Sequence, residues 1–258
     1  MVVSSLPTMV RKNRDKSRPL PPAVQPSPEL YLNRELSVLA FNERVLAMAA
    51  RSSVPLAERL RYICIVSSNM DEFFEVRMSD LTEEIRESGG ASPQAPAYVA
   101  IMDRAHRLVA EQYVLFNQTI MPALERRNIV VLNNAQRNDE QRAWVREYFM
   151  REVRPLLAPI GLDPSHPFPQ VLNKSLNFIL HLEGKDAFGR PSAIAILKVP
   201  RVLPRVITLP KGLVPGRQAF VMLSSVIRTH LQDVFPGREI GGFSQFRVTR
   251  DSDLSVDE

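Results

Sequence analysis

Apolar residues recur at helical spacing through the first half of the chain. Val38, Phe41, Val45, Met48 and Ala49 fall on one face of a helix, and Asn33 ahead of them is a good N-cap. Ser53 and Pro55 mark a second start, and Leu56, Leu60, Ile63 and Cys64 form its stripe, with Cys64 read as a small core residue. The polar run Ser67-Ser68-Asn69 interrupts that face. Met70, Phe74, Met78, Leu81 and Ile85 resume it as a third helix, which makes Asn69 its N-cap, with Glu72 completing an Asn-type capping box. Gly89, Gly90, Pro93 and Pro96 predict a linker. A long helix from about Ala97 to Ile120 then puts Met102, His106, Val109, Tyr113 and Phe116 on one side.

After Pro122 the texture changes. Ile129 to Leu132 is a short β-prone run, and Asn138 opens a helix through Trp144, Tyr148 and Phe149. From Ser175 the period is two, with Leu176, Phe178, Leu180 and Leu182 on one side and Asn177, Ile179 and His181 on the other. A turn over Gly184 to Pro191 and a second apolar run, Ala193 to Val199, predict an antiparallel hairpin. Val206 to Leu209, Ala219 to Leu223 and Phe246 to Thr249 predict further strands, and Val226 to Phe235 a helix on the sheet. The expected architecture is an N-terminal helical bundle followed by an α+β head domain with a mostly antiparallel sheet. Its divisions are a flexible, basic, Pro-rich tail over 1–28, a helical domain over 29–124 and the head over 125–258.

Composition trims the possible functions. The 258 residues are 45% hydrophobic and 24% charged, an ordinary globular balance. The net charge of +5 invites a nucleic-acid reading, but residues 1–28 carry +4 of it, through Arg11, Lys12, Arg14, Lys16 and Arg18 against Asp15. The body is nearly neutral, which argues against nucleic acid as a partner and favours a solvated leader. No apolar run has membrane-spanning length, and no compact apolar stretch follows the basic residues as a signal peptide would. A single cysteine excludes an intramolecular disulfide and fits a reducing compartment, so the cytoplasm is the expected location.

No phosphate-binding glycine loop, dinucleotide fingerprint or kinase catalytic loop is present. His106, His166, His181 and His230 stand in unrelated contexts, so no catalytic residue and no metal ligand is assigned. Asn69 is the informative position. A helix start favours phosphate, and an asparagine amide offers a donor and an acceptor to a nucleobase edge; capping alone is the reading the residues themselves favour. The second candidate is Asp163-Pro164-Ser165-His166-Pro167-Phe168-Pro169 leading into Asn173-Lys174-Ser175. It reads either as a posed functional loop or as a turn in which His166 and Asn173 satisfy local backbone groups.

Several blocks resemble the polyphosphate kinase family that works through a phosphohistidine. They are Tyr31 to Leu46, Val54 to Leu60, Ser67-Ser-Asn-Met-Asp-Glu-Phe-Phe-Glu-Val-Arg77, Asp163 to Pro169, Asn173-Lys-Ser-Leu-Asn177 and Phe246 to Leu254, in the family's order. The resemblance implies a reversible enzyme that moves the terminal phosphate of ATP onto inorganic polyphosphate, with Mg²⁺ bound by residues outside this chain. It implies a homo-oligomer, cytoplasmic or peripheral at the inner membrane, with ATP/ADP and polyphosphate as ligands. The family's nucleotide-contacting asparagine falls on Asn69, and the head serves assembly. Val38 stands where the family usually has tryptophan. The chain ends inside the head pattern, so it is expected to be an N-terminal fragment, inactive alone, with the histidine nucleophile elsewhere; none of its four histidines sits in the family's catalytic motif. The alternative is a non-catalytic helical and α+β interaction module.

Overall fold

Asn33 opens the first helix as expected: its side chain accepts the Leu36 N–H at 2.9 Å, and α1 runs Arg34–Ala50. The structure, a computed structural model, describes residues 32–89, 91–92, 94–162, 168–184 and 194–250. The tail over 1–28, the Asp163–Pro167 stretch with His166, most of the turn before Pro191 and the block beyond Arg250 lie outside the described residues.

The expected break at Ser67-Ser68-Asn69 does not occur. Helix α2 (Leu56–Glu72) contains all three residues and continues through a π-helical turn, Phe73–Arg77, into α3 (Met78–Glu87). Asn69 is therefore no N-cap, and Glu72 completes no capping box. Val66 and Met70 are buried on either side of the polar run, and this packing outweighs the modest helix penalty of serine and asparagine. The irregularity falls one turn later, where the extra residue of the π turn re-aims the face that follows. Helix α4 (Ala95–Leu115) likewise passes through a π turn, Phe116–Ile120, into α5 (Met121–Glu125).

Two packed faces lie one residue away from the expected stripes. Helix α1 buries Leu39, Asn42, Leu46 and Ala49, leaving Phe41 exposed. Helix α4 buries Ile101, Ala105, Leu108 and Gln112, leaving Tyr113 exposed. Cys64 is also exposed, because α2 turns Ile63, Val66 and Met70 inward instead. Helices α1 to α5 form a helical arm whose core gathers Leu39, Leu46, Val66, Ile101 and Leu108. At its edge Arg104 of α4 donates two 2.6 Å hydrogen bonds to the Glu43 carboxylate of α1.

The head begins with β1 (Ile129–Val131) and α6 (Asp139–Tyr148), the latter capped by Asn138 and Gln141 in a reciprocal box. A π turn (Phe149–Val153) leads to β2 (Pro159–Gly161), β3 (Leu176–Glu183), β4 (Ile194–Lys198) and β5 (Val206–Thr208). The chain closes with β6 (Gln218–Met222), α7 (Leu223–Thr229), α8 (Leu231–Val234) and β7 (Glu239–Arg247). The strands form two sheets: β1-β6-β5, with β1 parallel to β6, and the antiparallel β2-β4-β3-β7. The expected hairpin is β3–β4, pairing Phe178 with Leu197. Strand β7 begins at Glu239, earlier than its expected Phe246, and pairs along all of β3 with one bulge at Gly241. The single expected helix after β6 is two, divided at His230. Phe149, Phe178, Leu197, Val221 and Ile227 centre the head's core. Among the described residues no helix is long and apolar enough to cross a membrane.

Candidate functional site

Asn69 lies in the last turns of α2, half-buried, facing α1. Asn42 of α1 is 1% exposed and donates its Nδ2 to the Val38 carbonyl at 3.0 Å. That acceptor is unambiguous, so Asn42 must present Oδ1 toward α2, where the Asn69 Nδ2 donates to it at 2.8 Å. The orientation propagates. The Asn69 side-chain amide is left with one N–H and its Oδ1 unused by the described residues. Gln112 of α4 braces the same stretch of α2, donating to the Ile63 carbonyl at 2.8 Å and to the Ser67 hydroxyl at 2.7 Å.

Within two turns beyond Asn69 the arm meets the head. Asp71 receives both terminal nitrogens of Arg247 at the end of β7, one of them at 2.9 Å, and this pairing raises the guanidinium's already high pKa. Glu75, carried on the π turn, accepts the Asn173 Nδ2 at 2.5 Å and pairs with the Lys174 ammonium. Asn173 also accepts the Arg250 N–H at 2.9 Å on its side-chain oxygen, while its own carbonyl receives Arg201. Lys174 adopts a positive φ of 56°, the conformation that brings it and Asn173 to the same carboxylate. Three motif blocks far apart in sequence, around Asn69, Asn173 and Arg247, therefore converge on one polar junction.

A cleft of about 500 Å³ opens beside this junction, between Phe74, Met78 and Thr82 on one side, Tyr98 and Met102 on another, and Thr249 at its edge. Asn69 does not line it. Among the described residues no group of three or more His, Cys, Asp or Glu side chains could hold a metal ion, and Asp71 and Glu75 are engaged by cations of the protein itself.

The proline-rich loop contributes its described end: Asn173 serves the junction through tertiary contacts with Glu75 and Arg250, and its side chain does not satisfy local backbone groups as the turn reading expected. His106 and His181 are exposed. His230 is buried, stacked on Phe149 at 4.7 Å and hydrogen-bonded to Asp233 at 3.1 Å, away from the junction. Sequence reasoning missed Asn42, Asp71 and Glu75. The signal for Asn42 was present, since it falls on the true inner face of α1 with Leu39, Leu46 and Ala49.

The architecture is that of a two-part module, a helical arm ion-paired to an α+β head. The two parts match successive family models: the polyphosphate kinase N-terminal domain over residues 31–132 and the polyphosphate kinase middle domain over residues 140–258. The chain belongs to the polyphosphate kinase family. It is similar to the polyphosphate kinase of Burkholderia cenocepacia, 52% identical over 88% of this chain and 34% of that protein. The polyphosphate kinase of Neisseria meningitidis is 50% identical over 90% of this chain and 35% of that protein. The crystal structure of polyphosphate kinase from Porphyromonas gingivalis superposes with a TM-score of 0.77 at 30% identity, covering 88% of this chain and 34% of that one. The chain thus spans about a third of the length of the relatives it matches.

Proposed function

We propose that this chain is the nucleotide-contacting and assembly-bearing part of an ATP:polyphosphate phosphotransferase. The full-length protein moves the terminal phosphoryl group of ATP reversibly onto inorganic polyphosphate, Mg²⁺ accompanies the nucleotide, and the reacting histidine belongs to the two thirds of the relatives' length not spanned here. In this reading residues 29–124 and 125–258 act as separate domains, a division supported by their two hydrophobic cores. The protein works as a homo-oligomer, cytoplasmic or peripheral at the inner membrane.

The observation that carries the reading is the state of Asn69. Its amide is oriented by Asn42, yet its carbonyl oxygen and one N–H stay available at a half-exposed position. That is the donor–acceptor pair a nucleobase edge takes. The arm–head ion pairs lie within two turns of it and fix its helix against the head, so the amide is held before the nucleotide arrives.

The test is Asn69→Ala in the full-length protein. The apparent affinity for ATP is expected to fall about tenfold, one good hydrogen-bonding contact being worth roughly 1.4 kcal/mol at that ratio. Turnover at saturating ATP and the unfolding midpoint should change far less. An unaltered apparent ATP affinity would reduce Asn69 to a packing partner of Asn42.

A further inference from the structure

We propose an oxyanion site, at the opposite end of α2 from Asn69, that holds a stretch of linear condensed phosphate. The polyphosphate assignment rests on the function proposed above; the oxyanion chemistry rests on the cavity alone. The start of α2 and the end of α5 enclose a cavity of about 340 Å³ lined by Ser52, Ser53, Arg59, Arg126 and Arg127, with no Asp or Glu on its wall. Leu56 is thirteen residues from Asn69, about 20 Å along a helix that rises 1.5 Å per residue.

Arg59 carries the argument. It is only 9% exposed, and its Nε donates to the Ala49 carbonyl at 2.6 Å, the last turn of α1. Its two terminal amino groups have no partner among the described residues, and they belong to a side chain that lines the cavity. The side chain is buried while these nitrogens keep accessible surface on the cavity, whereas an arginine so largely buried ordinarily meets a carboxylate there. The acid that is near in sequence, Glu58, turns to Arg61 at 3.8 Å instead. Arg126 and Arg127 add two more cations with no ion pair among the described residues. Their place just past α5 suits positive charge, but it explains neither the buried Arg59 nor the wall without carboxylates. No side chain caps the first turn of α2, whose N–H groups open on the same space. Three forked donors prefer phosphate oxygens taken two at a time. One orthophosphate satisfies one fork, whereas a chain with a charge on every phosphate can satisfy all three.

The test titrates the 258-residue chain with sodium tripolyphosphate and, separately, with orthophosphate, by calorimetry at low and at physiological salt. Arg126→Gln/Arg127→Gln removes two exposed charges and leaves Arg59 to hold α1. Arg107→Gln/Arg228→Gln removes the same charge elsewhere. Saturable tripolyphosphate binding that weakens at least tenfold in the first variant, and less than twofold in the second, establishes the site. Equal weakening in both variants, absence of saturable binding, or orthophosphate bound as tightly as tripolyphosphate would each overturn it. This readout is an affinity of the chain itself. A full-length protein that made no polyphosphate would sink the functional reading and leave the binding result standing.

Discussion

Asn42 and Gln112 of the arm lie as deep as Arg137 and Asn177 of the head, and the two pairs are treated differently by their surroundings. Asn42 uses both ends of its amide, and Gln112 donates twice. Among the described residues, the fully buried side-chain nitrogens and oxygens that lack a partner all belong to the head: Arg137 Nε and Nη1, Asn177 Oδ1, Arg205 Nη1 and His230 Nε2. Each such orphan costs on the order of 1–3 kcal/mol. The arm spends its polar burial on joining helices, and so holds Asn69 firmly. The head carries polar groups that weaken it, and its stability should respond more steeply to mutation and to pH. The single tryptophan, Trp144 in α6, reports the head's unfolding separately from the helical signal of the arm.

The largest effect should come from Ser225→Ala. The Ser225 hydroxyl accepts from Arg137 Nη2 at 2.6 Å; the guanidinium's other acceptor, the Leu132 carbonyl, is 3.4 Å away. Burial already pulls the Arg137 pKa down from its usual value, with the Arg142 charge adding to the effect. Removing its short bond leaves a buried cation nearly bare, and the head should lose about 2–3 kcal/mol in urea unfolding followed by Trp144 fluorescence. Arg137→Met added to Ser225→Ala should recover most of that loss, since the stranded charge is then gone. A double variant as weak as the single would show that Ser225 matters for packing.

A middle-sized effect is expected from pH. Burial lowers the His230 pKa below its ordinary 6.5, the Asp233 hydrogen bond opposes this as a smaller influence, and the charges of Arg146 and Arg137 reinforce it. The unfolded chain therefore takes up a proton that the folded head resists. The neutral imidazole's contribution is complete above pH 6.5 and is lost as pH falls through that value toward the lowered folded pKa. Between pH 7.5 and 5.5 the Trp144 midpoint should fall in the wild type. His230→Phe, which keeps a ring against Phe149, should flatten that slope; an identical slope would assign the pH response to another group.

These differences bear on what the sequence could disclose. The head's strands were legible because a period of two, once Phe178, Leu180 and Leu182 are seen, fixes both faces of β3. The arm's helices were legible as helices, with the packed faces of α1 and α4 misplaced by one residue. Their inner faces include Asn42, Gln112 and the small Ala105, which a count of large apolar residues passes over. The break expected at Ser67-Ser68-Asn69 rested on propensity, and packing of Val66 and Met70 overrode it. Asn69 was reached through family blocks, but its setting was not. Arg247 lies 176 residues from Asp71 and Asn173 lies 98 from Glu75, and no local pattern encodes which distant charge a carboxylate will meet. The π turn that aims Glu75 leaves no mark in residue spacing either.

The smallest effect belongs to the arm. Glu43 and Arg104 form a forked pair, and the hydrogen bonds from Arg104, more than the bare charge, hold the Glu43 carboxyl below its usual 4.5 despite an opposing contribution from burial. Glu43 keeps about 40% of its side chain in solvent, so water and salt screen the pair heavily. Glu43→Gln should cost the arm only about 0.5 kcal/mol at pH 7 by far-UV circular dichroism. The sign with pH follows from the lowered pKa. The unfolded carboxyl takes its proton near 4.5 and the folded one resists, so the pair's contribution is whole above that pH and disappears as pH drops through the folded value. Wild type and Glu43→Gln should therefore converge in acid and stay parallel between pH 5.5 and 7.5, the interval in which the Trp144 signal of the head moves. A gap that widened in acid would mean that Glu43 is stabilised there in its protonated form, and the arm would then share the head's sensitivity instead of contrasting with it.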